Sequence, residues 1–223
     1  MTQYPQGKEY YDDMYLHADR TYDRPQTSPY YPLFSKVCEL VRDGGFKSVL
    51  EVGCGSGVLA EMLIAAGVRY TGFDISPVGV EKARQRNPQG RFSVGDATDS
   101  AAYGTPYDAL VCCEVLEHVN DDLAAIESWR SGSICICSVP NFDYVSHVRF
   151  FRSPEEVRQR YGGLLDIHRI DRIAKSARAN LTPTEYFRRV RWARHEPKRM
   201  LGILGINAFA WYGGWFVFVG QRR

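Results

Sequence analysis

Val49-Leu50-Glu51-Val52-Gly53-Cys54-Gly55-Ser56-Gly57 runs from a short apolar strand into three alternate glycines, and a helical pattern over 58–66 follows at once. Such a join puts main chain into a tight turn at a strand's carboxyl end, close enough to touch a ligand. The spacing Gly-x-Gly-x-Gly differs from the dinucleotide fingerprint Gly-x-Gly-x-x-Gly, and the acid Glu51 precedes it. Alone, the loop says only that backbone approaches something there.

Working outward, strand patterns fall at 47–52, 70–74, 91–94, 109–113 and 133–139, with helices at 58–66, 77–86 and 121–128 between them. This alternation predicts a parallel sheet covered by helices on both faces. Downstream, Ser153-Pro154-Glu155-Glu156 has the composition of a helix start, 164–173 alternates as a strand, and Thr182-Pro183-Thr184-Glu185 opens a basic helix. Residues 215–220 are aromatic and β-branched, suited to a buried strand. Upstream, a helix over 33–41 is stopped by Asp43-Gly44-Gly45, after a leader crowded with tyrosines. The expected organisation is one domain over 1–223: an N-terminal helical cap (1–45), a core (46–140), a substrate-side insertion (141–200) and a final strand region (201–223).

Charge is unevenly spread. Residues 1–148 carry 12 Lys/Arg against 20 Asp/Glu, whereas 149–199 carry 14 against 6. The basic segment suits an anionic substrate, RNA phosphates or a membrane surface. The six cysteines show no zinc spacing and lie largely in apolar runs, as buried free thiols in a reducing cytoplasm would. No secretory signal opens the sequence. Residues 200–220 lack formal charge and are long enough to span a bilayer, but their glycines and aromatic end fit a chain that turns and finishes as a strand. No transmembrane segment is expected; a peripheral membrane contact stays open.

Two acids sit at the next strand ends. Asp74, about twenty residues after the loop, is placed to accept from a ribose diol, and Asp96 in Gly95-Asp96-Ala97 to accept from an exocyclic amine. Three markers at successive strand ends describe a ligand crevice.

On these residues, together with Tyr107-Asp108-Ala-Leu-Val-Cys-Cys-Glu114-Val-Leu-Glu117-His118-Val119, the sequence resembles the class I S-adenosylmethionine (SAM)-dependent methyltransferases over about 33–140. The resemblance implies an α/β, Rossmann-like, doubly wound sheet of seven strands in three αβα layers, mostly parallel with 215–220 as one antiparallel strand. It implies SAM as cofactor and S-adenosylhomocysteine as product. Glu51, Gly53, Cys54, Gly55 and Gly57 would surround the methionine part; Asp74 and Ile75 the ribose; Asp96 and Ala97 the adenine; Cys113 and Glu114 would complete the contacts. Ser131-Gly132-Ser133 departs from the Pro-Gly-Gly of many relatives, far from the cofactor.

If Glu114 begins a helix, residues 114, 117 and 118 share one face. Two carboxylates and an imidazole there suit a divalent metal such as Mg, with His147 as a further ligand and His168 behind it. The segment is similar to that of the ubiquinone-biosynthesis O-methyltransferases and of the small-RNA 3′-terminal 2′-O-methyltransferases. His118 equally suits a general base, with Glu114 beside it, or pure scaffold. A hydroxyl nucleophile needs its proton removed and an amine hardly does, so the cluster favours O-methylation over N-methylation. The first acceptor is a small hydroxylated or aromatic metabolite, contacted by Tyr22, Tyr30, Asn141 and His147. RNA ranks behind it, for want of a broad basic track with aromatic platforms. A non-catalytic SAM-binding module is the remaining alternative.

Overall fold

The computed structural model describes residues 7–17, 24–176 and 182–223. From the amino end, α1 (Lys8–His17) and α2 (Tyr31–Asp43) precede a regular alternation of β1 (Ser48–Val52), α3 (Val58–Ala65), β2 (Arg69–Asp74), α4 (Pro77–Arg86), β3 (Arg91–Val94), β4 (Ala109–Cys112), α5 (Asp122–Glu127) and β5 (Ile134–Pro140). Then come α6 (Pro154–Tyr161), β6 (Leu165–Ala174), α7 (Pro183–Trp192), α8 (Pro197–Ile203), α9 (Ala208–Trp211) and β7 (Gly214–Arg222). The starts follow their local chemistry. Ser153 caps α6 by accepting from the Glu156 N–H at 3.2 Å, with Pro154 in the first turn.

The strands form one seven-stranded sheet in the order β3-β2-β1-β4-β5-β7-β6. β1 pairs in parallel with β2 and β4, and β3 and β5 extend the sheet in parallel on either side. β7 alone runs antiparallel, paired to both β5 and β6. The expected fold class holds, and 141–200 supplies an edge strand of the sheet as well as helices.

Alternate residues of each strand serve opposite layers. Leu50, Val52, Leu110 and Cys112 pack with Ile126 of α5 and Val157 of α6. Val49 and Val111 pack instead with Leu33 and Val37 of α2 and Leu59 and Leu63 of α3. Each such buried side chain contributes roughly 1.5–3 kcal/mol. All six cysteines are free, and Cys112, Cys135 and Cys137 are fully buried in the sheet. Burial pushes the Cys135 thiol up to about 12, so it stays an unreactive apolar filler.

Among the described residues no helix is long and apolar enough to cross a membrane. Residues 200–220 instead fold as the end of α8, the single turn of α9 and most of β7. Parallel strands leave β1 in opposite directions, toward β2 and toward β4. Ligand crevices form at such a reversal, outside the carboxyl ends of the strands. His168 is excluded from that end: it is exposed at the bulge of β6 between Ile167 and Arg169, where β7 pairs with the amino-terminal part of β5.

Candidate active site

The three glycines of the loop all take left-handed φ, at 73°, 50° and 76° for Gly53, Gly55 and Gly57. Each also lacks room for a side chain. A Cβ would run into Val115 Cγ2 at Gly53, and would lie 2.5 Å from the Tyr15 hydroxyl at Gly55 and 2.5 Å from Asn87 Nδ2 at Gly57. The loop is tied to β2 by hydrogen bonds. Gly53 and Cys54 N–H donate to the Phe73 carbonyl at 2.8 and 3.0 Å. Gly55 N–H donates to Asp74 Oδ2 at 2.8 Å, and Ser76 N–H to Oδ1 at 2.9 Å. Asp74 therefore shapes the loop as well as facing the crevice. Burial raises its pKa against the pull of those two N–H groups, and each oxygen keeps a second acceptor direction for a ligand. Beneath the loop, the buried Glu51 accepts from the Tyr70 hydroxyl, and burial raises its pKa to about 8.

Two chambers open at these strand ends. The first, about 360 Å³, is lined by Asp74, Ile75, Asp96 and Ala97 together with Val115 and Asn120. There Asp96 accepts through Oδ1 from Thr98 N–H and Oγ1, at 2.8 and 2.7 Å. The second, about 250 Å³, is lined by Glu51, Cys54 and Cys113 on the sheet side and by Phe142, Tyr144, His147 and Lys175 opposite. Tyr11, Tyr15, Gly53, Glu114 and His118 line both. Gly57 lines neither; it begins α3, and Asn87 Nδ2 donates to its carbonyl at 2.8 Å.

The segment after β4 does not begin a helix at Glu114; the helix starts later, at α5. Glu114 takes φ 60°, and turns continue to Asp121, the residue that caps α5 by accepting from Ala124 N–H at 3.1 Å. A left-handed residue cannot seed a right-handed helix. Residues 114, 117 and 118 consequently share no helical face. Glu117 turns fully inward, and neither of its carboxylate oxygens has a hydrogen-bond partner. Burial, then the neighbouring Glu114, raises its pKa well above the usual carboxylate range; burial raises that of Glu114 too. Both carboxyls are thereby held toward the protonated form.

The ligand atoms of Glu117, His118 and His147 all lie within 4.8 Å of one another, a set that leaves Glu114 out. His118 Nδ1 lies 2.8 Å from the Ser146 carbonyl, and His147 Nδ1 lies 3.2 Å from that of Phe142. A carbonyl only accepts, so each Nδ1 carries a hydrogen and each Nε2 is the nitrogen able to accept a proton. Burial first and His118 second hold His147 down at about 4. The His118 turn is clamped by Arg149, which donates to the carbonyls of Leu116, Val119 and Asn120 and reaches the buried Asp122 at 3.3 Å.

The other predicted acceptor contacts divide. Tyr30 lines the second chamber but packs on Phe34 and Trp215, with ring centroids 5.8 and 5.7 Å away. Tyr22 lies outside the described residues. Asn141 lines neither chamber, because both ends of its amide are engaged: Nδ2 donates to the Phe209 carbonyl at 2.8 Å, and Oδ1 accepts from Gly214 N–H at 2.7 Å. The sequence reading missed Tyr11, Tyr15, Phe142, Arg149 and Lys175. Lys175 holds its ammonium 4.1 Å from the centre of the Phe142 ring. Only the aromatic crowding of the leader hinted at the two tyrosines; nothing local marks the others.

Residues 49–131 match the family model described as a methyltransferase domain. The chain is 33% identical over 94 residues to the ubiquinone biosynthesis O-methyltransferase of Actinobacillus pleuropneumoniae, covering 38% of this chain and 40% of that protein. It is 39% identical over 92 residues to the enzyme of the same name from Vibrio parahaemolyticus, covering 39% of each. The chain thus spans about two fifths of the length of these relatives. Among solved structures it is similar to the magnesium protoporphyrin IX methyltransferase of Synechocystis with bound S-adenosylhomocysteine (TM-score 0.65, 16% identity, 97% of this chain and 98% of that one). It is also similar to an N-methyltransferase of Bradyrhizobium japonicum in complex with the same molecule (TM-score 0.64, 16% identity, 97% and 98%). At such identity these two speak for the fold. Residues 49–131, with a glycine loop at the end of β1 and acids at the ends of β2 and β3, thus match a methyltransferase domain, set in the fold that these solved methyltransferases share.

Proposed function

We propose that this protein transfers a methyl group from SAM to a hydroxyl of a small acceptor, with His118 as general base. The observation that carries the reading is the position of His118 on the wall shared by the two chambers, with Nδ1 committed to the Ser146 carbonyl, the tautomer in which Nε2 is the basic nitrogen. The residues present fit SAM. Gly53 and Gly55 offer bare backbone, Asp74 offers acceptors to ribose hydroxyls, and Asp96 with Ala97 bounds the far end of the first chamber. Bound SAM supplies a methyl group already activated on a sulfonium. The chain's task is to hold an acceptor in line at about 3–3.5 Å, exclude water and remove one proton. Phe142, Tyr144 and Lys175 of the second chamber suit a small ring-bearing acceptor, beside the methionine part of SAM, better than a polymer. The O-methyltransferase names of the relatives point the same way.

One observation favours a second reading. The unpartnered Glu117 carboxylate beside two imidazoles, each oriented by a carbonyl, fits a divalent cation. Glu117, His118 and His147 would hold it, and one carboxylate with two imidazoles suits zinc or manganese better than magnesium. Such an ion would lower the pKa of an acceptor hydroxyl, and His118 would then be a ligand and no base.

The test is turnover with SAM against a panel of catechols, phenols, carboxylic acids, amines and 3′-ended RNA, before and after chelation. Methylation of a hydroxylated small acceptor that survives chelation is expected. Loss on chelation with recovery on adding metal would establish the second reading. Turnover of 3′-ended RNA alone would overturn the acceptor class, and SAM binding without any turnover would leave a non-catalytic module.

A further inference from the structure

The two chambers meet at a wall built from five residues, of which Gly53, Glu114 and His118 come from the sheet side and Tyr11 and Tyr15 from α1. If one chamber takes the adenosine of SAM and the other its methionine, the sulfonium that joins those halves stands at that wall. We infer that Tyr11 and Tyr15 recognise the positive charge of the sulfonium, which makes α1 part of the methyl-transfer site and not a mere cover. This rests on the SAM reading above.

The geometry is specific. α1 is fastened over the loop by its polar side: Asp12 Oδ1 accepts from Ser76 Oγ at 2.5 Å, and the Tyr15 carbonyl accepts from Lys82 Nζ. Tyr15 then lies directly on the loop and on the first turn of α4. Its hydroxyl is 2.5 Å from where a Cβ on Gly55 would stand, and its Cε2 is 2.9 Å from that of Gly79. The absent side chains at 55 and 79 make room for this ring. Tyr11 meets His118 edge-on, with ring centroids 6.0 Å apart. The ring face and the oxygen of a phenol both carry negative potential, and a cation among such rings is favoured over a neutral group of the same shape.

SAM and S-adenosylhomocysteine differ at the sulfur by one methyl group and one positive charge, so their affinity ratio reads the effect. Tyr11→Leu and Tyr15→Leu, titrated by calorimetry with both ligands, should weaken SAM about fivefold or more and leave S-adenosylhomocysteine within about twofold. Sinefungin, which carries a cationic amine near the place of the sulfur, should follow SAM. S-adenosylhomocysteine binding also reports that the crevice is still folded. Equal weakening of all three ligands, or no change, would overturn the proposal and leave α1 a packing element. Failure of the unaltered protein to bind any of the three would instead overturn the SAM reading itself. Should a leucine variant fail to fold, methionine at the same positions, tolerant of irregular packing, gives the same readout.

Discussion

The chamber that ends at Asp96 takes its sheet-side walls from 52–121, a stretch in which a strand end recurs every twenty residues or so, and only Tyr11 and Tyr15 reach it from elsewhere. The chamber that ends at Lys175 gathers residues from 10 to 175: α1, the turn before α2, the glycine loop, the His118 turn and the loop after β5. The first is fixed by main-chain hydrogen bonds into the sheet, such as Gly53 and Cys54 to Phe73. The second depends more on side chains crossing between distant segments, such as Asn141, next to Phe142, to Phe209. One half of the crevice rests on the sheet, and the other half is assembled from segments far apart in the sequence.

That contrast can be broken by experiment. The largest effect is expected at the junction. His118→Ala should lower kcat about 10²–10⁴-fold while SAM affinity stays within about threefold. A comparable loss of SAM binding would show that the two halves are not separable. Asp74→Ala should act the other way, weakening SAM and S-adenosylhomocysteine about 100-fold by removing the acceptor of Gly55 and Ser76 N–H together with the ribose contact. Calorimetry showing unaltered affinity would sink the assignment of the first chamber.

The smallest effect is on stability. Glu51 titrates near 8 in the folded chain against an ordinary 4.5, so between those values the folded chain holds a proton that the unfolded chain has lost. Its contribution is fully present below about 4.5 and is lost as pH rises through 8, with a slope of up to ~1.4 kcal/mol per unit. Glu51→Gln keeps an acceptor for Tyr70 and should flatten that slope in denaturant melts between pH 5 and 8. An unchanged slope would place the titration elsewhere.

The same division governs what was legible in the sequence. Strand ends could be read because period, glycine spacing and acids lie within a few residues of one another. The sheet, Asp74 and Asp96 followed from that, and all seven strands stand within two residues of expectation. The second chamber depends on contacts between residues such as Tyr15 and Gly55, forty positions apart, which leave no periodic trace. The conditional helix at Glu114–His118 does not form, for a definable reason. Its spacing fits a helix, but the capping signal lies further on, at Asp121, and Glu114 occupies a left-handed conformation that spacing cannot reveal. α1 buries no residue fully, so its role shows only once it is docked.

β7 follows both β5 and β6 in the chain yet lies between them in the sheet. During synthesis β6 emerges with no neighbour to pair with, and a direct β5–β6 pairing would have to be undone before β7 could enter. The side of the second chamber, where Lys175 N–H is held by the Gly213 carbonyl and Asn141 by Gly214, is thus completed only after the side of the first has had its strands on hand for some ninety residues. A ribosome stalled in between would display a finished first chamber beside an open, strand-hungry edge, the kind of species that chaperones retain and aggregates recruit.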